Sequence, residues 1–510
     1  MRESRISCLL VAGLLLVTPA AIAQDNGAIE GNLTRDDTQP LGGVTVTINE
    51  LGLATLTHST GSYNFAGVAP GTYTLTFTLG DNSSTVSDVT VTAGETTTVD
   101  HVVDWVVSVA ETITVFSASR RQERIVEAPA AITAITEVEI ARQAAHAQVP
   151  KLIEFTPGME VTQSGIYDYN LNTRGFNSSL NRRVAVLVDG RDPSIPFLAS
   201  QEWSIANSLD DLASVEMIRG PSAALYGANA SAGVLNMTTK APRDSQGGGL
   251  RLTAGELSTF NADFRWAGEL AEGWYFKAIS NSRNHDDWYV SRMGAAEYSV
   301  PCTESGQTDC LPQEAVPLSR EDDEILALAL RLDKHIGDTS FFTIEGGSST
   351  SEGPLVQTGI GRVQLVEADR PWGRFNYFHP HWNVMATYNH RDAPRQTALS
   401  SGTNLVLDST NYGLEVQGNW EFDDGDARLV LGASFSNEEI DTLDPNTGRQ
   451  TLMFEPVDID QSAGFGQLDW RASDKLRLVV AGRYDESDLH DSQFSPKAAL
   501  VYSANSRNTF

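Results

Sequence analysis

The sequence predicts a mainly β chain in three successive parts: a small β-sandwich, an α/β domain and a partial transmembrane antiparallel β-barrel. Three observations carry this expectation. Residues 24–105 run in short period-two alternations broken by turn residues, residues 106–245 mix apolar β-like runs with helix signals, and residues 246–510 alternate over long stretches. Period two marks a strand with two unlike faces, because successive side chains leave the pleat on opposite sides.

Residues 1–23 read as a signal peptide, not as structure. Arg2 and Arg5 give a basic start, Ile6 to Val17 a short apolar region, and Ala21-Ile22-Ala23 a small-x-small cleavage site before Gln24. After Gln24 nothing approaches the roughly 20 apolar residues of a membrane-spanning helix, so a mature chain that crosses a membrane does so with strands. The net charge of −30, from 66 acidic and 36 basic residues, argues against a nucleic-acid partner and for a solvated, self-repelling surface. Cys302 and Cys310 are the cysteines left after cleavage. In an oxidising compartment their spacing suits a local disulfide closing a short loop, for about 2–3 kcal/mol.

The first part alternates at Val44-Thr45-Val46-Thr47-Ile48, Tyr63-Asn64-Phe65 and Tyr73-Thr74-Leu75-Thr76-Phe77-Thr78. Pro40, Gly42-Gly43, Gly61, Pro70-Gly71 and Gly80-Asp81 punctuate the runs, so about seven short strands and a β-sandwich are expected. The phrases Gly27-Ala28-Ile29-Glu30-Gly31, Pro40-Leu41-Gly42-Gly43-Val44, Gly61-Ser62-Tyr63-Asn64-Phe65 and Pro70-Gly71-Thr72-Tyr73 resemble the carboxypeptidase regulatory-like domain. That resemblance implies a non-catalytic sandwich, and no peptidase activity is carried over from it.

The second part opens with Glu111-Thr112-Ile113-Thr114-Val115, continuing to Ala118, a β-prone strip between two domains. A polypeptide partner can read such a strip by strand addition, although an ordinary linker strand has the same composition. Ala128 to Ile135 is an apolar β-like run; Thr136 then caps a helix, with Glu139 completing a capping box. A helical piece around Leu152-Ile153-Glu154-Phe155 ends at Pro157-Gly158. Val184 to Val188 is a buried strand closed by the turn pair Asp189-Gly190.

Four phrases in this part resemble, in order, the plug domain of TonB-dependent outer-membrane receptors. They are Pro150 to Gly158, Thr173-Arg174-Gly175-Phe176, Val186-Leu187-Val188-Asp189-Gly190, and Val215 to Gly227 with its continuation Gly233 to Lys240. The fourth contains Arg219-Gly220-Pro221 and Tyr226-Gly227. The resemblance implies that Glu111 to Val115 is a TonB box, gripped from the periplasm by the energy-coupling protein TonB. It also implies that the plug arginines, Arg174 and Arg219, face acidic residues on the barrel wall. Flanking glycines free both guanidiniums for forked bonds, and packing within the plug is the other reading of the same two residues.

In the third part Tyr412, Leu414, Val416, Gly418, Trp420 and Phe422 share one face and Glu415, Gln417, Asn419 and Glu421 the other. Leu326, Leu328, Leu330 and Leu332 oppose Ala327, Ala329, Arg331 and Asp333 in the same way. A lipid-facing barrel with a wet lumen needs that pattern, and a soluble sandwich needs its inverse; the alternation alone does not separate them. Aromatics at strand ends, among them Trp274, Trp288, Trp372, Trp382, Trp420 and Trp470, favour interfacial girdles against outer-membrane lipid. Short links at 271–273, 335–338, 380, 423–426 and 473–474 alternate with long ones at 286–323, 351–370, 392–407 and 438–459. That is the rhythm of periplasmic turns and extracellular loops, and it puts the Cys302–Cys310 loop outside. About 12 strands are counted, where plugged transporters use about 22, so a further piece of roughly 200 residues is expected to complete the wall.

Chemical motifs are missing from this picture. The sequence has no His-Glu-x-x-His, no phosphate-binding P-loop and no Gly-x-Ser-x-Gly, and His379, His381 and His390 straddle a turn as solvated or lumen residues. The expectation is a non-enzymatic receptor without cofactor or metal of its own, taking up a scarce small molecule or metal chelate such as a ferric siderophore, a cobalamin-like cofactor or a glycan. The competing expectation is a non-transporting binding protein of the periplasm or outer membrane.

Overall fold

The computed structural model describes residues 26–35, 39–58, 61–79, 82–105, 114–115, 123–124, 130–143, 148–173, 183–195, 201–203, 208–286, 323–337, 340–359, 361–398, 403–422, 426–473, 475–505 and 508–509. The expected signal peptide, Glu111 to Ile113, Arg174 to Phe176, Trp288 and the Cys302–Cys310 pair lie outside these residues. The chain divides into two compact units after Ser108.

Among the described residues the first unit is a sandwich of nine strands, two more than the sequence suggests, because three of them are only two or three residues long. One sheet holds β1 (Gly27–Arg35), β2 (Gln39–Pro40), β5 (Ser62–Val68), β8 (Thr96–Thr98) and β9 (His101–Val103). The other holds β3 (Thr45–Ile48), β4 (Leu53–Leu56), β6 (Gly71–Leu79) and β7 (Asn82–Val91). The inward members of each alternation, Ile29, Leu33, Val44, Val46, Ile48, Tyr63, Leu75 and Phe77, are at most 2% exposed and form one core. Tyr63 keeps its polar end satisfied by donating its hydroxyl to the Val99 carbonyl at 2.6 Å. Tyr63→Phe is expected to cost about 1 kcal/mol, the net worth of one such bond, and to speed hydrogen exchange in Ser62–Val68 roughly fivefold in the full chain. Unchanged exchange would show the bond to be idle.

The second unit begins with a two-residue ladder between β10 (Thr114–Val115) and β11 (Glu123–Arg124). An α/β domain follows. Its sheet runs β12 (Ala131–Thr136), β16 (Leu212–Arg219), β17 (Gly233–Thr239), β15 (Val184–Val188), and only the β15–β17 pairing is parallel. A separate hairpin joins β13 (Met159–Gln163) to β14 (Tyr169–Thr173). Helix α1 (Glu137–Gln143) starts where the capping box is expected: Glu139 reaches back to accept the Thr136 amide at 2.9 Å, and the Thr136 hydroxyl donates to the same carboxylate. Helix α2 (Val149–Ile153) precedes Gly158, which takes the positive φ of 82° that ends the turn. Helix α3 (Ala223–Tyr226) lies within the Arg219 to Gly227 phrase. Ile140, Ile153, Leu171, Val215, Met217, Leu235 and Met237 close the core between sheet and helices.

Among the described residues the remaining chain forms a 14-stranded sheet whose ladders are all antiparallel. Its path begins β18 (Gly247–Ala254), β19 (Phe260–Ala271), β20 (Trp274–His285), β21 (Asp323–Ile336), β22 (Ser340–Glu352). Short β23 (Leu355–Thr358) folds onto β24 (Gly361–His379), and the path continues through β25 (Trp382–Ala398), β26 (Leu407–Phe422) and β27 (Ala427–Asp441). A small hairpin of β28 (Leu443–Asp444) and β29 (Arg449–Gln450) rises before β30 (Val457–Ser473), β31 (Leu476–Ser487), β32 (His490–Asn505) and β33 (Asn508–Thr509). Twelve of these strands have eight or more residues, and β18 and β33 end the path without pairing to each other among the described residues.

The outward set is the expected one, with Leu326, Leu328, Leu330, Tyr412 and Leu414 exposed. The inward set, including Lys277, Asn281, Asp333 and Gln417, is buried. Two expectations change. The links placed at 351–370 and 392–407 are largely strand: β24 has 19 residues and β25 has 17. A bilayer needs about 9–11, and beyond it both faces meet water, so apolar alternation lapses while backbone pairing continues. Trp372 is no girdle residue; it turns inward and stacks under the Arg191 guanidinium at 4.1 Å. Among the described residues no helix is long and apolar enough to cross a membrane, which says nothing of crossing by strands.

Candidate functional site

The α/β domain packs against the inner face of the wall, and its contacts sort into a floor near the short-turn ends of the strands and a clamp nearer the long-link ends. The floor is built on a 3₁₀ turn, Leu209–Asp211, which Ser208 caps by accepting the Asp210 amide. That turn delivers two consecutive carboxylates to the first wall strands. Asp211 accepts Lys277 Nζ and Arg265 Nε, each at 2.8 Å, and Asp210 is forked by Arg251. Lys277 spends its other donors on Thr239 Oγ1 at 3.0 Å and the Lys240 carbonyl at 2.8 Å. Arg265 also bonds Ser245. Both partners of the Lys277–Asp211 pair are within 3% of full burial, so each charge depends on the other.

Beside this pair sits the Asp189-Gly190 turn, whose φ values of 49° and 85° put both residues in the left-handed region. Asp189 accepts the Thr239 amide at 2.9 Å and the Thr239 hydroxyl at 2.6 Å. Burial opposes its ionisation, but the facing charges of Arg374, Arg331 and Lys277 outweigh that and hold the carboxyl below the usual aspartate range. Two of those cations have wall partners of their own, Arg331 with Asp333 at 2.8 Å and Arg374 with Glu345 at 2.6 Å. Arg191, next along, bonds Asn389 Oδ1 at 2.6 Å, and burial brings its guanidinium down to about 10.

The clamp is a single plug carboxylate between two wall arginines. Glu202 accepts Arg370 Nε at 2.5 Å, Arg391 Nε at 2.9 Å and Arg391 Nη2 at 2.7 Å. Burial alone would raise its carboxyl; Arg370 and Arg391 reverse that and hold it at about 2. Its folded value therefore lies below the ordinary 4.5, so the clamp contributes fully above about pH 4.5 and is lost as pH falls toward 2. Neighbouring Trp203, which donates Nε1 to the Tyr169 carbonyl at 3.1 Å, reports on it. Trp203 emission is expected to hold steady from pH 7 to 5 and to shift only in stronger acid; a transition centred near pH 6 would contradict the assignment.

At the apex, the Ser164–Asp168 turn between β13 and β14 meets the wall twice. Asp168 accepts the Gln357 amide of β23 at 2.9 Å, and the rings of Tyr167 and His285 lie 4.9 Å apart. Apolar contacts complete the seal: Leu225 with Val430 and Phe465, and Ile195 with Leu407 and Ile440. Gly227, at φ 89°, lets the backbone approach the Arg483 side chain.

The sequence-selected residues fall unevenly across this contact. Asp189 and Gly190 are in it. Tyr226 packs beside the Leu225 cluster, and Gly220, at φ 119°, donates its amide to the Ala232 carbonyl within the plug. Pro221 is exposed. Arg219 corrects the expectation of a wall lock: its Nη1 donates to the Pro157 carbonyl at 2.6 Å, inside the plug. The ion pairs across the described contact run the other way, from plug carboxylates to wall cations. Asp210, Asp211, Glu202, Lys277, Arg265, Arg370 and Arg391 were missed because alternation marks the inner face but not what faces it. Among the described residues no three His, Cys, Asp or Glu cluster to hold a metal.

Comparison with known proteins follows the same three parts. Residues 28–104 match the carboxypeptidase regulatory-like domain, 124–234 the TonB-dependent receptor plug domain, and 207–509 the TonB-dependent receptor-like β-barrel. The iron-regulated outer membrane virulence protein of Vibrio cholerae serotype O1 is 22% identical over 412 residues, 77% of this chain and 57% of that protein. The vitamin B12 transporter BtuB of Vibrio vulnificus is 32% identical over 168 residues, 32% of this chain and 26% of the transporter. The crystal structure of the ferric enterobactin receptor PfeA of Pseudomonas aeruginosa superposes with a TM-score of 0.56 at 16% identity, covering 74% of this chain and 61% of that one. The matched stretches thus cover about three fifths of the length of the Vibrio cholerae protein and of PfeA, and 26% of BtuB. A regulatory-like sandwich, a plug held by charge and an outward-apolar wall together place this chain in the TonB-dependent receptor family of the outer membrane.

Proposed function

We propose that this chain serves energised uptake of a scarce small molecule or metal chelate across the outer membrane, with TonB acting on Glu111 to Val115. The observation that carries the reading is the plug itself: it is fastened to the wall by buried ion pairs at Asp211 and Glu202, so clearing a passage requires work. A β-prone strip ahead of the plug is where a periplasmic partner can deliver that work by strand addition. Within it, Thr114 and Val115 already pair with Arg124 and Glu123, so the strip is competent to form a ladder.

The relatives' names point to iron-regulated, ferric enterobactin and vitamin B12 proteins, which supports a ferric siderophore or a cobalamin-like cofactor over a glycan. Cys302 and Cys310 would close a disulfide in an extracellular loop of the same receptor. Deleting Glu111 to Val115 in cells is expected to abolish accumulation of radiolabelled ligand while leaving surface binding intact. Accumulation at the undeleted rate would remove TonB from the account.

A further inference from the structure

The clamp holds more hydrogen-bond donors than Glu202 can satisfy. Arg370 Nη1 donates to Ser351 Oγ at 3.0 Å and Arg391 Nη2 to Gln396 Oε1 at 3.0 Å, after both residues have bonded Glu202. Arg370 Nη2 and Arg391 Nη1 are buried and have no hydrogen-bond partner among the described residues. The two side chains are 8% and 5% exposed. Asn389 Nδ2, on the same strand face as Arg391, and Ser409 Oγ, directly across the ladder from it, are likewise unpartnered. Asp369, whose charge also reaches Arg370, is itself bonded by Thr350 at 2.6 Å. Two guanidiniums thus face one plug carboxylate, with spare N–H groups left over.

A guanidinium pair with unused forks is the arrangement that recognises a carboxylate. We infer that Arg370 and Arg391 form a carboxylate-binding site on the inner wall, which Glu202 of the plug fills as a built-in stand-in for a carboxylate-bearing ligand. Exchange of one carboxylate for another leaves no buried charge unpaired, so the step is electrostatically balanced. It also detaches the segment that carries Glu202 and Trp203, so occupancy of the wall is reported to the plug. The inference deepens the receptor reading, yet it concerns binding by the purified chain and stands or falls without uptake.

The test uses the full chain in detergent micelles, with glutarate as probe, glutaramide as its uncharged control, and Trp203 emission as readout, assigned with Trp203→Phe. The wild-type signal should change saturably with glutarate and not with glutaramide. Glu202→Ala, which empties the fork, should bind glutarate at least about tenfold more tightly. Arg391→Gln should abolish the response in either background. If that variant does not fold, Arg391→Lys keeps the charge but loses the fork and should weaken binding by a similar factor. Glutarate binding to Glu202→Ala with no wild-type response would make Glu202 a fastening only and overturn the inference. Equal responses to glutaramide, or none in either protein, would overturn it too.

Discussion

Asp211→Ala is expected to cost about 3–5 kcal/mol of the plug's hold on the wall, the usual consequence of stripping the partner from a buried charge. Lys277, 2% exposed, would keep only Thr239 Oγ1 and the Lys240 carbonyl as acceptors, and Arg265 only Ser245. Neither neutral acceptor replaces a carboxylate for a desolvated ammonium. Hydrogen exchange of β17, followed in the full chain at low urea, should accelerate roughly a hundredfold or more. The Asp211→Leu/Lys277→Met pair should recover most of that loss, because a well-packed apolar pair costs less than a lone buried charge. A double variant as labile as Asp211→Ala would locate the effect in the shape of the turn at Leu209–Asp211.

The floor matters because of where it lies along the chain. Thr239, Lys240 and Ser245 lie in the last stretch of the plug before β18, and Lys277 and Arg265 bind all three while holding Asp211. One small network therefore fixes the crossing from plug to wall to the strands that follow it. Local sequence places these residues close together by 3₁₀ turn and short link; the ion pairs make that closeness persist.

How much of this was legible in the sequence depends on the period of the signal. Strand faces in β21 and β26 were readable because Leu326 to Leu330 and Tyr412 to Val416 repeat at two, and tight links such as 271–273 were readable from Gly and charge. Strand ends were not. In β24 the run Glu367-Ala368-Asp369-Arg370 carries no apolar alternation, yet it pairs with β22 through Asp369 and Arg370. The lock was half legible. The inward position of Arg331 followed from the alternation in β21, but its plug partner Asp189 lies 142 residues away in sequence, and no local pattern encodes a contact of that range; Lys277 and Asp211, 66 residues apart, were not legible at all. Arg219 misled for the opposite reason: its neighbour Gly220 signals backbone approach, which that residue makes within the plug by bonding Ala232.

Asp189 allows charge and backbone shape to be separated. Asp189→Asn tolerates the φ of 49° and keeps an oxygen for the Thr239 amide, but it removes the negative charge opposite Arg374, Arg331 and Lys277. Because the residue is only half-buried by area, the expected loss is about 1–3 kcal/mol after solvent screening. Asp189→Ala adds the left-handed penalty and loses both Thr239 bonds, for roughly 1–2 kcal/mol more. Acid distinguishes the two causes. The folded carboxyl lies below the ordinary 3.8, so its contribution is present above about pH 4 and disappears as pH falls further. Exchange protection of β15 in the wild type should therefore weaken below pH 4, whereas Asp189→Asn, which has nothing to titrate there, should start lower and stay level through the same range. If the asparagine variant shows the same acid step, the titrating group is another member of the floor and Asp189 serves the turn alone.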